Sequence, residues 1–281
     1  MSTKMAREYA LKTVLYLALG VGAAVILLPY IWMVSASFKP EGQTFTTSLQ
    51  LIPKNPTFNS YLKALQVNEV GRQMLNSFIV AGSQTLCVVT TSVLAGYAFA
   101  RLRFPGRNLI FLLVLGVMMI PFQVLVIPAF IIVKNLGWIN TYQGLVVPQA
   151  VMAFGIFLMR QFFLTIPSEL EDAGRIDGCS RLGLLLRIAV PLSGPAIATL
   201  AIFAFTNSWN DFLWPLITTT SPHMRTIQVA LASLKGGGSG EEADWAVLMA
   251  TGTMASLPVL VVYLALQRHF TKGIVMTGLK G

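Results

Sequence analysis

Asn207, Asn210 and Asp211 stand at i, i+3 and i+4 in a long apolar stretch, so a helix would place them on one face. Trp209 and Trp214 flank them. Two carboxamides and a carboxylate can bond the hydroxyls of a polyol, while an indole covers the apolar face of a pyranose ring. An ionisable group in an apolar segment is expensive. Asp211 therefore faces a bundle interior or wet cavity, lies near the outer membrane surface, or packs against a neighbouring helix. Gln84, Gln123 and Gln149 interrupt other apolar stretches and read as inter-helix hydrogen bonds. A second constellation is charged. Residues 167–192, PSELEDAGRIDGCSRLGLLLRIAVPL, hold four of the chain's 11 acidic residues between two apolar segments. Catalytic patterns are missing: no GxxxxGK[ST], HExxH or GxSxG occurs.

The elements that position these residues follow from hydropathy. The chain has 281 residues, 55% hydrophobic and only 11% charged, with a mean hydropathy of +0.69. Six uncharged runs stand out: Thr13–Phe38, Gln73–Ala100, Asn108–Val133, Asn135–Met159, Ile188–Asn210 and Trp245–Gln267. Each exceeds the ~20 residues a helix needs to cross about 30 Å of hydrocarbon. Backbone groups in lipid must bond internally, so such runs are helices. The expectation is an all-α integral membrane protein with six transmembrane helices, over 13–37, 74–99, 108–133, 142–163, 192–219 and 245–267. Pro121 and Pro128 predict a kink or break in the third. Tyr61–Gln66 reads as a short interfacial helix in the loop 38–72.

Charge orients the chain. Thirteen of the 20 lysines and arginines, Arg101, Arg103, Arg107, Arg175, Arg181 and Arg187 among them, fall in segments on the side of both termini. That is the positive-inside pattern, N-in and C-in, and the +9 net charge reads as topology rather than nucleic-acid binding. The division is a cytoplasmic N-terminus 1–12, a transmembrane domain 13–267 and a cytoplasmic tail 268–281. His223 and His269 fall on opposite sides, so no shared metal site is expected. Cys87 in a span and Cys179 in the cytoplasm predict no disulfide. The outer loop 220–244 carries Gly236, Gly237, Gly238, Ser239 and Gly240, a flexible tip that either connects helices or probes a partner.

The charged stretch predicts two short helices. Ser168 and Glu171 have the spacing of a capping box, and Glu169, Glu171 and Asp172 favour the positive end of the helix dipole. Asp177-Gly178 suits a left-handed corner, Ser180 offers a second cap, and Leu182, Leu185, Leu186 and Ala189 form an apolar stripe. Pro191 closes the unit. Such a hairpin either docks against a partner or lies on lipid headgroups with its arginines facing phosphates.

Asp172-Ala173-Gly174-Arg175-Ile176-Asp177-Gly178-Cys179 with Pro191-Leu192 resembles the EAA motif of ABC-importer permeases. Asp172 stands where that motif has Glu, and Gly174 and Cys179 where it has Ala. Trp209-Asn210-Asp211-Phe212-Leu213-Trp214-Pro215-Leu216 and the end Phe270–Gly281 are similar to segments of carbohydrate-type permeases of the MalG-like kind. The resemblance covers nearly the whole chain. It implies the type I ABC-importer permease fold, in a bacterial or archaeal cytoplasmic membrane, forming half of a pore with a second homologous permease.

It also implies partners: two cytoplasmic ABC ATPases and an extracytoplasmic solute-binding protein. The hairpin 168–190 would be the coupling helix, with Glu171, Asp172, Ala173, Gly174, Asp177, Gly178, Cys179 and Pro191 as its coupling residues. Gly236–Gly240 would tip a loop entering the binding protein, and the tail would reach toward the ATPase interface. Asn207, Trp209, Asn210, Asp211 and Trp214 would line the solute path. No cofactor is expected in this chain, since ATP and Mg²⁺ belong to the ATPase partners. Two rivals make other demands. An ion-coupled secondary transporter needs paired intramembrane charges, and an intramembrane enzyme needs a nucleophile–base or metal set.

Overall fold

The computed structural model describes residues 3–40, 42, 51–66, 69–235 and 244–278, and every regular element among them is helical. In chain order the helices are α1 (Thr3–Ser37), α2 (Asn59–Gln66), α3 (Val70–Arg101), α4 (Arg107–Val117), α5 (Phe122–Asn135), α6 (Tyr142–Val146) and α7 (Ala153–Thr165). There follow α8 (Ser168–Ile176), α9 (Arg181–Leu184), α10 (Val190–Leu192), α11 (Gly194–Trp209), α12 (Leu213–Thr218), α13 (Ile227–Lys235) and α14 (Trp245–Gly278).

Three helices are long and apolar enough to cross a membrane: Leu11–Ser37, Val70–Arg101 and Trp245–Ala265. Three bent pairs bring the number among the described residues to as many as six. The fourth and fifth helices, expected unbroken, are therefore corrected. The break expected in the third lies at Pro121, the N-cap of α5, where the chain bends by 99°, whereas Pro128 is carried inside α5. Proline at an N-cap leaves no intrahelical bond unmade, because the first turn's donors have no partner anyway.

The fourth bends by 47° after a 3₁₀ turn, Val147–Gln149. The third bent pair turns by 81° at Ser193, between α10 and α11, and the fifth is broken again where α11 stops at Trp209 and Asn210–Phe212 separate it from α12. The short helix predicted in the first loop is α2. The loop expected over 220–244 contains a 3₁₀ turn, Pro222–Met224, and α13. Its tip, Gly236–Gly240, lies outside the described residues, as does the end of the tail at 279–281.

The chain packs as two units. One comprises Met1–Val70 with Leu231–Ser256. Within it Phe38 meets Phe58 edge-on with ring centroids 5.3 Å apart, the Ser37 and Tyr61 hydroxyls lie 2.7 Å apart, and Lys63 Nζ pairs with Asp244 Oδ2 at 2.8 Å. No side chain in the apolar window of α1 is buried within the chain, so lipid or another chain must cover it.

The other unit, Gly71–Ala230 with Leu257–Gly281, holds the site. There α3 and α7 cross closely. A Cβ on Gly96 would lie 2.7 Å from Met159 Cβ, and one on Gly155 would lie 2.3 Å from Ser92 Oγ. Small residues let the backbones approach where no water-driven force presses helices together. Met159, Phe163 and Leu200, all fully buried, centre the core beside this crossing. A second cluster gathers Val80, Val133, Leu145 and Trp214. Asn140 adopts a left-handed φ of 57°, and its Oδ1 accepts from the N–H groups of Thr220 and Ser221 at 2.8 and 2.9 Å. Asparagine tolerates that conformation because its short side chain bonds locally.

Candidate functional site

The breaks at Pro121, after Gln149 and after Trp209 border a cavity of about 570 Å³. Its polar lining is Gln84 from α3, Gln123 from α5, Gln149 from the 3₁₀ turn, Asn207 from α11, and Asn210 and Asp211 from the break that follows. Val88, Phe122, Met152 and Leu213 supply apolar wall. The expected trio Asn207, Asn210 and Asp211 is thus brought together, but the helix ends before Asp211. Freed from the helix, Asp211 bonds on two sides: Oδ2 accepts from Gln149 Nε2 at 2.8 Å, and Oδ1 meets the Trp214 N–H at 3.4 Å.

Gln149 therefore belongs to the wall as well as bridging elements. Gln84 does bridge, its Nε2 donating to the Leu145 carbonyl at 2.9 Å, and it also borders the cavity. Trp209 and Trp214 are corrected: both are core residues, 1% and 0% exposed, and neither lines the cavity. Trp209 packs between Phe78 and Phe205, and Trp214 Nε1 donates to the Gly144 carbonyl at 3.0 Å. An indole N–H needs a partner once buried, and only the fold supplies one.

Asn76 was missed by sequence reasoning. Fully buried, it donates to the carbonyls of His223 and Arg225 at 2.7 and 3.0 Å and accepts from the Tyr142 hydroxyl at 2.8 Å. It ties α3 to the segment before α13. Partners so far away along the chain leave no local signal.

The charged hairpin forms, with two changes. α8 starts at Ser168 with Pro167 at its N-cap, and the expected capping box is absent. Glu171 instead turns inward, 2% exposed, with Oε1 3.1 Å from Arg101 Nε and Oε2 3.5 Å from Arg175 Nη2. Two guanidinium charges within 3.5 Å attract the carboxylate more strongly than the helix's backbone dipoles do. Asp172 stays outside, 60% exposed, paired with Arg175 at 2.8 Å.

The corner is as expected. Gly178 has φ +81°, its N–H reaches the Arg175 carbonyl at 3.0 Å, and the Cys179 N–H reaches Gly174 at 2.9 Å. Those two bonds are the Schellman closure of a helix. Ser180 then caps α9, accepting from the Gly183 N–H at 3.1 Å.

The apolar stripe is shifted. Leu184, Leu185 and Ala189 are buried, whereas Leu182 and Leu186 are exposed. A wide π-turn, Leu185–Ala189, rotates the register just before Pro191, which has no N–H for the Arg187 carbonyl. Gly174 has a packing reason: a Cβ there would lie 2.7 Å from the tips of Leu184 and Ile188. Ala173, Asp177 and Gly178 are exposed with Asp172, and Cys179 is half-buried. The hairpin thus has an exposed tip and a buried base.

Apolar spans, a polar cavity between broken helices and a charged hairpin together define a helical membrane protein. Residues 90–276 match the family described as binding-protein-dependent transport system inner membrane component, and the chain belongs to that family. It is 35% identical over 264 residues to the arabinooligosaccharides transport system permease protein AraQ of Halalkalibacterium halodurans, covering 92% of this chain and 93% of that protein. It is 36% identical over 262 residues to the sn-glycerol-3-phosphate transport system permease protein UgpE of Salmonella typhi, covering 90% and 92%.

Its fold matches a chain in the crystal structure of a bacterial ABC transporter that imports the acidic polysaccharide alginate. That match has a TM-score of 0.78 at 24% identity and covers 96% of this chain and 99% of the other. The expected membership among ABC-importer permeases is borne out. Both relatives are named as permease proteins of transport systems.

Proposed function

We propose that this chain is the translocation subunit of an ATP-driven importer for a sugar or sugar-like solute. It crosses the membrane six times with both termini in the cytoplasm, and forms a pore with a second homologous permease. The three bent pairs, each counted as one span, support six crossings, and the distribution of arginine and lysine supports the orientation. Two ABC ATPases would hold ATP and Mg²⁺ and grip the hairpin, and an external binding protein would deliver the solute. The loop 220–244 would meet that binding protein, and the tail 268–281 would approach the ATPases. The names of the relatives support a carbohydrate or a polyol phosphate as cargo.

One observation carries the reading: a hairpin whose corner is closed by the Gly178 turn and the Ser180 cap exposes Asp172, Ala173, Asp177 and Gly178 on a buried base. Free loops do not need such rigidity, whereas a handle does. The cavity suits the cargo, since amides and a carboxylate on a partly apolar wall match hydroxyls on a ring, and about 570 Å³ lies in the range of small-molecule sites. A self-sufficient ion-coupled carrier is not favoured, because family membership points to a binding-protein-dependent system.

The test is crosslinking from Cys179 in the assembled transporter, with Asp172→Lys beside it. The expected result is a crosslink to the ATPase that Asp172→Lys weakens, with the membrane fold unchanged. Crosslinks to lipid alone would remove the proposal.

A further inference from the structure

We propose that Glu171 and Arg101 form a joint that carries displacement of the hairpin into α3 and α7, the elements behind the cavity wall. They are positioning residues for transport, not contacts to the motor. This rests on the reading above that an ATPase grips the hairpin. Glu171 sits in the middle of the charged stretch yet is 2% exposed, so a docked partner cannot touch it without unwinding the first turn of α8. Its carboxylate meets Arg101, the last residue of α3, at 3.1 Å.

That guanidinium also donates to the carbonyls of Phe163, at 2.7 Å, and Ile166, the last turn and end of α7. One side chain thus touches α3, α7 and α8 together. One turn earlier in α3, the Tyr97 hydroxyl donates to Glu171 Oε2 at 3.4 Å, and its ring meets Phe163 edge-on at 5.6 Å.

The backbone already links the hairpin to α7 through Ile166-Pro167 and to α11 through Ser193. α3 has no such backbone link, and the ion pair is what ties it to the hairpin directly. Little slack follows, because Gly96 against Met159 and Gly155 against Ser92 lock α3 to α7. The middle of α3 and the approach to α7 border the cavity: Gln84 and Val88 on α3, and Gln149, Val151 and Met152 just before α7. From Arg101 to Gln84 the helix spans about 26 Å at its usual rise. Movement at the joint therefore appears at the wall.

The test uses the whole transporter, with its second permease and ATPases, in proteoliposomes on a Cys87→Ala background. One preparation keeps Cys179 for crosslinking to the ATPase. The other carries Cys179→Ala and Val151→Cys, a cavity position 63% exposed, labelled with a membrane-impermeant maleimide with and without ATP–vanadate. In the parent, trapped nucleotide changes the labelling rate about tenfold. Glu171→Gln cuts that change to about twofold or less while crosslinking persists, and Glu171→Asp keeps most of it.

A packing role gives the opposite order, because Gln fills the same space and Asp leaves a hole. Full movement in Glu171→Gln with crosslinking intact, or a worse result in Glu171→Asp, overturns the inference alone. If Glu171→Gln does not assemble, the doubly neutral Glu171→Gln/Arg101→Gln removes the joint without stranding a buried charge. Movement lost there, with crosslinking kept, supports the joint, and movement kept overturns it. Crosslinking absent in the parent overturns the underlying reading, and the inference with it.

Discussion

Replacing glycine by alanine at two places on α3 should give opposite signs. At Gly82 nothing in the chain lies within 4 Å of a new Cβ, and the helix should gain about 1 kcal/mol because alanine loses less backbone freedom. At Gly96 the same methyl would sit 2.7 Å from Met159 Cβ and 2.9 Å from the Arg160 backbone nitrogen. Carbon–carbon contact begins near ~3.5 Å, so the helices must part locally by about 1 Å. Met159 is fully buried, and its Cβ, unlike a side-chain tip, cannot swing away.

Overpacking of this kind costs about 1–3 kcal/mol beyond the propensity gain. The two variants should therefore differ by about 2–4 kcal/mol, roughly 30- to 700-fold in unfolding equilibrium. Reversible unfolding in mixed micelles, followed by circular dichroism, measures both. If Gly96→Ala and Gly82→Ala agree within about 0.5 kcal/mol, the close crossing, and the rigidity inferred from it, is refuted.

Three further outcomes are expected from the same assay. Trp214→Phe strands the buried Gly144 carbonyl, now bonded at 3.0 Å, and should lose about 1–3 kcal/mol. Gly178→Ala forces a side chain to φ +81° with no neighbour in reach, so strain alone should cost about 1–2 kcal/mol, seen also as faster amide exchange at Cys179. Asp211→Ala removes the charged acceptor of the Gln149 bond and should cost about 1.5–3 kcal/mol, whereas Asp211→Asn keeps the Trp214 contact through its oxygen and can donate its amide to a flipped Gln149, and should cost less. Equal losses in the last pair would count against the Gln149–Asp211 clasp.

Much of this protein was legible in the order of its residues because the strongest forces on it are local. Apolar runs longer than a bilayer must be helical, Pro121 must interrupt one, and Asp177-Gly178 with Ser180 must turn a corner and start again. The trio at 207–211 was recognisable because helical spacing puts those residues together whether or not the helix runs on.

What the sequence left open depends on groups distant along the chain. Glu171 has the spacing of a cap, and only folding brings Arg101, 3.1 Å away, to draw it inward. Trp209 and Trp214 have the look of ring-stacking platforms, but buried space behind the cavity claims them. Gln149 meets Asp211 because the end of a 3₁₀ turn and the break after α11 come together in the fold, which neither segment encodes alone. The sequence by itself determined helicity, apolar spans and corners, since neighbouring residues and the surrounding solvent settle those. Tertiary structure alone decided which polar groups face the cavity and which hold the frame, because a buried charge or N–H goes to whichever distant partner satisfies it.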